Sequence, residues 1–262
     1  MYFTVLNSLV SAGLCTKLAT IPPHFVSELP YIYVITPTYA RSVQKAELTR
    51  IANTFSHIKN LHWIVVEDSD ERTNLTTHFL FHCGINYTHL HIRSIEHKRR
   101  GVEQRNIGLA WLRHNREPNV SRGVVYFADD DNTYSIEIFE EMRYTKKVSI
   151  WPVGLTFEAR YETPIIGPDN KVKSWHAWHS TERKFATDMA GFAINLNLLL
   201  NNPHVWFDNT TRDGFLESSL LSQLVELNDL EPKADNCTKV LVWHTKTITP
   251  VFSEDKTWNL EI

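Results

Sequence analysis

From Leu29 to Asn132 the sequence alternates short β-branched runs with stretches of helical periodicity, and this alternation limits the fold more than any other feature. Tyr31-Ile-Tyr-Val-Ile35 has the length and branching of a buried strand and is closed by the turn signal Thr36-Pro37. Leu48, Ile51, Ala52, Phe55 and Ile58 recur at helical spacing and predict an amphipathic helix over about Val43 to Ile58. His62-Trp-Ile-Val-Val66 predicts a second strand ending in Glu67-Asp68, and a third follows over about Tyr87 to Ile92. A helix over about Val102 to His114 leads to a fourth strand, Val124-Val-Tyr-Phe127, which runs directly into Asp129-Asp130-Asp131. The pattern predicts an α/β domain with a mostly parallel sheet. Ligands of such sheets bind just beyond the carboxyl ends of the strands. Thr36 to Tyr39, Glu67-Asp68 and Asp129 to Asp131 all fall at that edge.

Beyond Asn132 the pattern loosens. A strand-like stretch runs from about Val148 to Phe157, a helix is predicted near Leu216 to Leu227, and another strand near Val240 to Trp243. There is no internal repeat and no low-complexity stretch, so the change after Asn132 reads as a subdomain boundary, not a flexible linker. With 262 residues, 42% hydrophobic and 22% charged, the chain has ample material for a core and does not read as disordered. A net charge of −3 offers no basic field, so no nucleic-acid partner is expected. The aromatic share, 11% with eight Trp, exceeds what a minimal core needs and fits a binding cleft.

Cys15, Cys83 and Cys237 form no CxxC pair, so neither a zinc ribbon nor a disulfide framework is indicated. N-x-S/T sequons begin at Asn74, Asn86, Asn119, Asn209 and Asn236 and lean towards the secretory lumen. Met1 to Ala19 is mildly apolar but is interrupted by Asn7, Ser8, Ser11 and Lys17, and no positive segment precedes it. Neither a membrane span nor a signal peptide is expected there.

The glycines allow neither GxGxxG nor GxxxxGK[ST], and HExxH and GxSxG are absent too. A phosphorylated ligand at this sheet edge would need another source of neutralisation. Carboxylates on a short turn after a buried strand can hold a hard divalent cation that bridges two phosphate oxygens. In isolation Asp129 to Asp131 would read as a solvated acidic turn; the strand before them aims them at the ligand edge. Arg100 and Arg105 sit where the start of a helix could meet an anionic ligand, or could form surface ion pairs. Glu217 lies in the first turn of a helix whose Leu216, Leu220 and Leu221 face a core. It reads as a general base near a hydroxyl, or as a carboxylate favoured by the helix dipole. His244-Thr245-Lys246 follows a strand and could bring donors to a diphosphate, although a histidine after a strand says little alone. His78, His82, Cys83, His89 and His91 have no acidic partner in the sequence pattern and read as surface or core residues, not a zinc site.

Eight segments taken together resemble the β-1,3-glucuronyltransferase family. They are Pro37-Thr-Tyr-Ala-Arg41, Val66-Glu-Asp68, Arg100-Gly-Val-Glu-Gln-Arg-Asn106, Tyr126-Phe-Ala-Asp-Asp-Asp-Asn-Thr-Tyr134, Trp151-Pro-Val-Gly154, Asp188-Met-Ala-Gly-Phe192, Leu216-Glu-Ser-Ser-Leu-Leu221 and Val242-Trp-His-Thr245. The resemblance covers about Leu29 to Ile262. It implies an A-type glycosyltransferase fold with a nucleotide-binding half, 29–132, and an acceptor-binding half, 133–262, behind a leader or stem segment, 1–28. It also implies UDP-glucuronate as donor, Mn²⁺ as cofactor, a galactose-terminated glycan as acceptor, inversion at the anomeric carbon and a homodimer.

Carried over by motif, Pro37, Thr38 and Tyr39 would line the uridine pocket, with Asp68 and Arg100 on the uracil. Asp130 would meet the ribose and Asp131 would ligate Mn²⁺. Arg105, held by Asp129, would lie near the donor sugar, and His244, with Thr245 and Lys246, would reach the diphosphate. Glu217 would be the base, and Glu162, Arg183 and Asp188 would position the acceptor sugar. The family usually has Arg where this sequence has Lys246, which keeps the charge but loses the bidentate fork. A membrane anchor and Golgi-lumen location are usual in the family, and no anchor is expected within these residues. Trp175-His-Ala-Trp178 resembles the branch that completes the proteoglycan linkage on Gal-Gal-Xyl, whereas Leu227-Asn-Asp-Leu-Glu-Pro-Lys233 resembles the branch that caps N-acetyllactosamine. The linkage reaction is the preferred expectation. Transfer from another UDP-sugar, and a glycan-binding module without turnover, are its rivals.

Overall fold

The computed structural model describes residues 26, 28–94, 101–156, 159–248 and 250–251. Arg100, Cys15 and nearly all of the expected leader lie outside the described residues. The first half builds much as its periodicity predicts. Strands β1 (Tyr31–Thr38), β2 (Leu61–Glu67), β3 (Tyr87–His91) and β4 (Gly123–Phe127) are joined through helices α1 (Gln44–Phe55), α2 (Asn74–His82) and α3 (Val102–Asn115). β1 pairs in parallel with both β2 and β4, and β2 with β3.

Successive strand residues point to opposite faces. Ile32, Val34, Trp63 and Val65 share one buried cluster with Leu48, Ile51 and Phe55 of α1. Tyr33, Ile35, Ile64 and Val66 share another with Val102, Ile107 and Leu109 of α3. Because both faces are covered, these strands read as nearly continuous apolar runs.

The second half comprises β5 (Thr133–Tyr134), α4 (Ile136–Met142), β6 (Val148–Ile150), β7 (Val153–Gly154), β8 (Tyr161–Ile166), β9 (Val172–His176), β10 (Phe192–Asn195), α5 (Leu196–Leu200), α6 (Leu216–Ser222), β11 (Leu230–Pro232) and β12 (Val242–Trp243). Three of its strands extend the first sheet to seven, in the order β11-β6-β10-β4-β1-β2-β3. β10 runs antiparallel to β4 and β6, while β11 and β6 are parallel, so the sheet stays mainly parallel. A five-stranded sheet, β5-β12-β7-β8-β9, stands beside it. Among the described residues no helix is long and apolar enough to cross a membrane.

Several elements differ from the sequence expectation. Thr36-Pro37 does not close the first strand, which continues to Thr38. β4 ends opposite Ile35, and the Ala128 N–H donates to the Ile35 carbonyl. Pro37 faces the same side as Ile35, beyond the end of that neighbour, so its missing N–H breaks no ladder bond. Phe157 lies outside the described residues, and the described part of the stretch expected from Val148 to Phe157 holds two strands in two sheets. Trp151, fixed through its indole N–H on the Ala190 carbonyl, and Pro152, which has no N–H to donate, divide them. The helix expected to reach Leu227 stops at Ser222, and a capping box between Glu226 and Asp229 opens a separate 3₁₀ turn at Leu227–Asp229. The last strand is only Val242–Trp243. The β8–β9 hairpin and helix α2 had no counterpart in the expected elements.

Candidate active site

The carboxyl ends of β1, β2 and β4, with the start of α3, enclose a cavity of about 250 Å³. Pro37, Thr38, Tyr39, Asp68, Arg105 and Asp129 to Asp131 all line it, together with Gly101 and Gln104. The edge predicted from the strand ends therefore forms, with two exceptions: Thr36, fully buried and accepting the Trp63 indole N–H at 2.9 Å, and Glu67. Glu67 is fully buried away from the cavity and accepts hydrogen bonds from Thr73, Thr76 and His89. Strand alternation turns it to the side opposite Asp68. His89 Nε2 lies 2.7 Å from Glu67, so this histidine does have an acidic partner.

The three aspartates are not equivalent. Asp129 pairs with Arg105 at 2.5 Å. Asp130 accepts the Thr38 hydroxyl at 2.6 Å and Arg41 at 2.7 Å. Among the described residues no cation pairs with the Asp131 carboxylate. Its backbone carbonyl is held by Arg50 at 2.5 Å and by the Thr245 hydroxyl at 2.6 Å. Burial first, then the charges of Asp129, Asp130 and Glu47, push the Asp131 carboxyl up to about 6. A carboxylate with a fixed backbone and no cation beside it among the described residues suits a cation brought by a ligand.

Asp68 is held from one side, its two oxygens accepting the Ser94 N–H at 2.9 Å and hydroxyl at 2.8 Å. Gln104 Nε2 donates to the same Ser94 oxygen at 3.1 Å. Gly101 caps α3 with φ near 90°, and a Cβ there would lie 2.6 Å from Arg105 Nη1. Glycine thus permits both the turn and the approach of the arginine.

A second cavity, about 580 Å³, is lined by Glu162, Trp178, Arg183, Asp188, Glu217, His244 and Lys246, among others. Glu217 sits half-buried in the first turn of α6. Burial, and then the charge of Asp188, push its carboxyl up to about 7; Arg105 and Arg183 pull in the opposite sense. β12 delivers His244, whose Nδ1 meets Asp188 Oδ2 at 2.9 Å. That bond first, with the charges of Asp188, Asp129 and Asp131, raises His244 to about 9, against the effect of its burial. His244 therefore carries a proton at neutral pH and feels carboxylates of both cavities. Glu162 accepts the Trp178 N–H at 3.0 Å and lies 3.6 Å from Arg183, which donates to the Trp178 carbonyl at 2.6 Å. Burial raises the Glu162 carboxyl. Thr245 is committed elsewhere, its hydroxyl bridging the Asp131 carbonyl and Thr133.

Two adjoining polar cavities, one ringed by aspartates at a parallel sheet edge and one holding a proton-ready carboxylate, suit transfer between two ligands. The model of glycosyltransferase family 43 matches residues 51–248. The chain belongs to that family. This family 43 enzyme is 53% identical over 245 residues to human galactosylgalactosylxylosylprotein 3-beta-glucuronosyltransferase 1, covering 88% of this chain and 73% of the relative. It is 52% identical over 227 residues to the human enzyme named 3-beta-glucuronosyltransferase 2 of the same series, covering 84% and 70%.

Solved structures share its fold at low identity. S. aureus TarS 1–349 aligns at TM-score 0.51 and 13% identity, over 82% of this chain and 60% of that one. The same protein in complex with UDP-GlcNAc aligns at 0.53 and 14%, over 83% and 59%. The family 43 enzyme thus has the A-type glycosyltransferase fold, as the motifs implied.

Arg41, Ser94, Gln104 and Trp178 stand at this site without having been assigned a role from sequence. Arg41 and Gln104 lay inside the quoted motifs, Trp178 within the acceptor-branch comparison; Ser94 carried no signal at all.

Proposed function

We propose that this enzyme transfers glucuronate from UDP-glucuronate to the 3-hydroxyl of a terminal galactose with inversion, completing the linkage region on Gal-Gal-Xyl. The observation that carries the chemistry is the Glu217 carboxyl, raised to about 7 in a cavity beside the aspartates. The names of the human relatives, which specify 3-beta-glucuronosyl transfer to galactosylgalactosylxylosylprotein, support the glucuronyl and galactose parts of this reading.

In this reading residues 29–132 hold the donor nucleotide and 133–262 the acceptor, with 1–28 as a leader or stem. Tyr39, Pro37 and Thr38 line the uridine, Asp68 and Arg100 meet the uracil, and Asp130 takes the ribose hydroxyls. Asp131 is the residue to hold Mn²⁺. No group of three or more His, Cys, Asp or Glu side chains that could hold a metal occurs among the described residues. A hard cation takes oxygen ligands, and the Asp131 carboxylate, with no cation beside it among the described residues, would be the group to hold one. When bound, such a cation neutralises charge developing on the leaving diphosphate. His244 and Lys246 add positive charge on the same side, and Arg105 faces the donor sugar.

Glu217 accepts the proton of the galactose 3-hydroxyl as that oxygen forms its bond to C1. The bond from C1 to the diphosphate oxygen breaks, and its electron pair leaves with UDP. A single displacement inverts the anomeric centre and needs one carboxylate, because the diphosphate leaves without protonation; hydrolysis of a glycoside would require two. Glu162, Arg183 and Asp188 orient the acceptor. A homodimer and a Golgi-lumen location complete the proposal.

UDP release, measured with UDP-glucuronate, UDP-glucose and UDP-galactose against Galβ1-3Gal and N-acetyllactosamine, with and without Mn²⁺, tests it. Mn²⁺-dependent release specific to UDP-glucuronate and Galβ1-3Gal is expected. Preference for N-acetyllactosamine would move the enzyme to the other acceptor class, and preference for another sugar would implicate Lys246. Binding of UDP without release from any pair would leave a glycan-binding module.

A further inference from the structure

We propose that Arg41 is a positioning residue for the donor's ribose, acting through Asp130; the inference rests on the reading of Asp130 as the ribose acceptor. Arg41 lies in the short turn between β1 and α1. Its guanidinium donates to Asp130 Oδ1 at 2.7 Å, to Glu47, and to the Tyr39 carbonyl at 3.1 Å. The guanidinium carbon also stands 4.5 Å from the centroid of the Tyr39 ring. One cation thus ties together the ends of β1 and β4, two of the strand ends that form the first cavity.

This attachment is kept from water. The Arg41 side chain is 15% exposed, Asp130 8% and Glu47 3%. An arginine is suited to it, since its planar fork reaches several acceptors at once and keeps its charge; a lysine ammonium is a point charge on a flexible stem.

Each carboxylate oxygen offers two acceptor positions. On Asp130, Oδ2 takes the Thr38 hydroxyl and Oδ1 takes Arg41. Thr38 is itself fixed, its oxygen accepting Gln44 Nε2 at 3.1 Å. Among the described residues one position on each oxygen therefore stays available, in a direction set by two donors. A vicinal diol is the ligand such a carboxylate takes. Without Arg41, Asp130 is free to pivot about the Thr38 bond, and the contact of the guanidinium with the Tyr39 ring is lost. The loss falls on the nucleoside's hydroxyls and not on the diphosphate, which other residues face.

The test is isothermal titration of UDP and its 2′-deoxy and 3′-deoxy analogues, in Mn²⁺, into the wild-type protein, R41M and R41K. The wild type is expected to bind UDP about tenfold or more tightly than at least one deoxy analogue, the effect of losing one hydroxyl-to-carboxylate hydrogen bond. In R41M, UDP binding should weaken about 10- to 100-fold and that preference should fall below about threefold. R41K should recover part of both.

If R41M binds all three nucleotides more weakly with the preference intact, Arg41 merely supports the fold and the inference is overturned. If the wild type itself makes no distinction, the ribose reading of Asp130 fails and takes the inference with it. Should circular dichroism find R41M unfolded, E47Q replaces it. That variant loosens Arg41 from behind without touching Asp130, and the preference should drop roughly two- to fivefold; an unchanged preference overturns the proposal.

Discussion

Replacing Glu217 with Gln separates its burial from its chemistry. The carboxyl has moved from an ordinary 4.5 to about 7, chiefly through burial. At about 1.36 kcal/mol for each tenfold step, ionising it in the folded protein costs up to roughly 3 kcal/mol. A group raised in this way leaves stability at its maximum below pH 4.5, and that stability is lost as the pH rises towards 7. Glutamine keeps the shape and carries no charge. E217Q should therefore match the wild type near pH 4.5 and exceed it by up to about 3 kcal/mol above pH 8.

Urea unfolding at the two pH values measures this gap, and other groups that titrate over the range cancel between the proteins. Turnover should move the opposite way. Wild-type activity should rise with pH through about 7 as Glu217 loses its proton. In E217Q, kcat should fall by about 10²- to 10⁴-fold with UDP affinity unchanged. A stability gap that is the same at both pH values would refute the burial argument, and turnover within tenfold of wild type would refute the base.

Asp131→Asn should abolish the metal-dependent part of nucleotide binding, so that UDP affinities in Mn²⁺ and in EDTA coincide; a surviving Mn²⁺ effect in calorimetry would contradict the assignment. The His244–Asp188 pair should stabilise the fold fully below pH 6.5 and lose that contribution as the pH passes about 9. The stability deficit of H244Q should accordingly shrink between pH 6 and 10 in denaturant titrations. Gly101→Ala places a Cβ on a backbone with φ near 90° and 2.6 Å from Arg105 Nη1. It should cost about 1–3 kcal/mol in thermal unfolding and raise the donor KM, because Arg105 is displaced from Asp129.

The four strands up to Asp131 and helices α1 and α3 were legible because each is specified locally; α2 (Asn74–His82) was not expected. Val34 and Ile35 go to opposite faces of a sheet covered on both sides, and no distant residue changes that reading. The ends of elements were less legible. Pro37 is a turn signal in most settings, and only the early end of β4 lets the strand run through it. The second half depends on pairing between distant segments. β12 joins β5 and β7, and this brings His244 to Asp188, 56 residues away.

The same contrast holds at the site. The aspartates and Glu217 could be named from motifs, but their unequal environments could not. Asp130 is paired with Arg41 and takes the Thr38 hydroxyl, 92 positions earlier, and Asp129 is paired with Arg105, 24 positions earlier, so that of the three Asp131 is the one without a cation beside it among the described residues. Glu67 looked like a site residue because it sits beside Asp68. Strand alternation sends it instead to His89 and the start of α2.

The most direct measurement of the proposed reaction is the proton NMR spectrum of the product formed from UDP-glucuronate and Galβ1-3Gal. The account predicts a glucuronate joined in β configuration to O3 of the terminal galactose, from a donor whose C1 is α-linked. An α-linked product, a different linkage position, or free glucuronate as the only product would contradict a single displacement driven by Glu217.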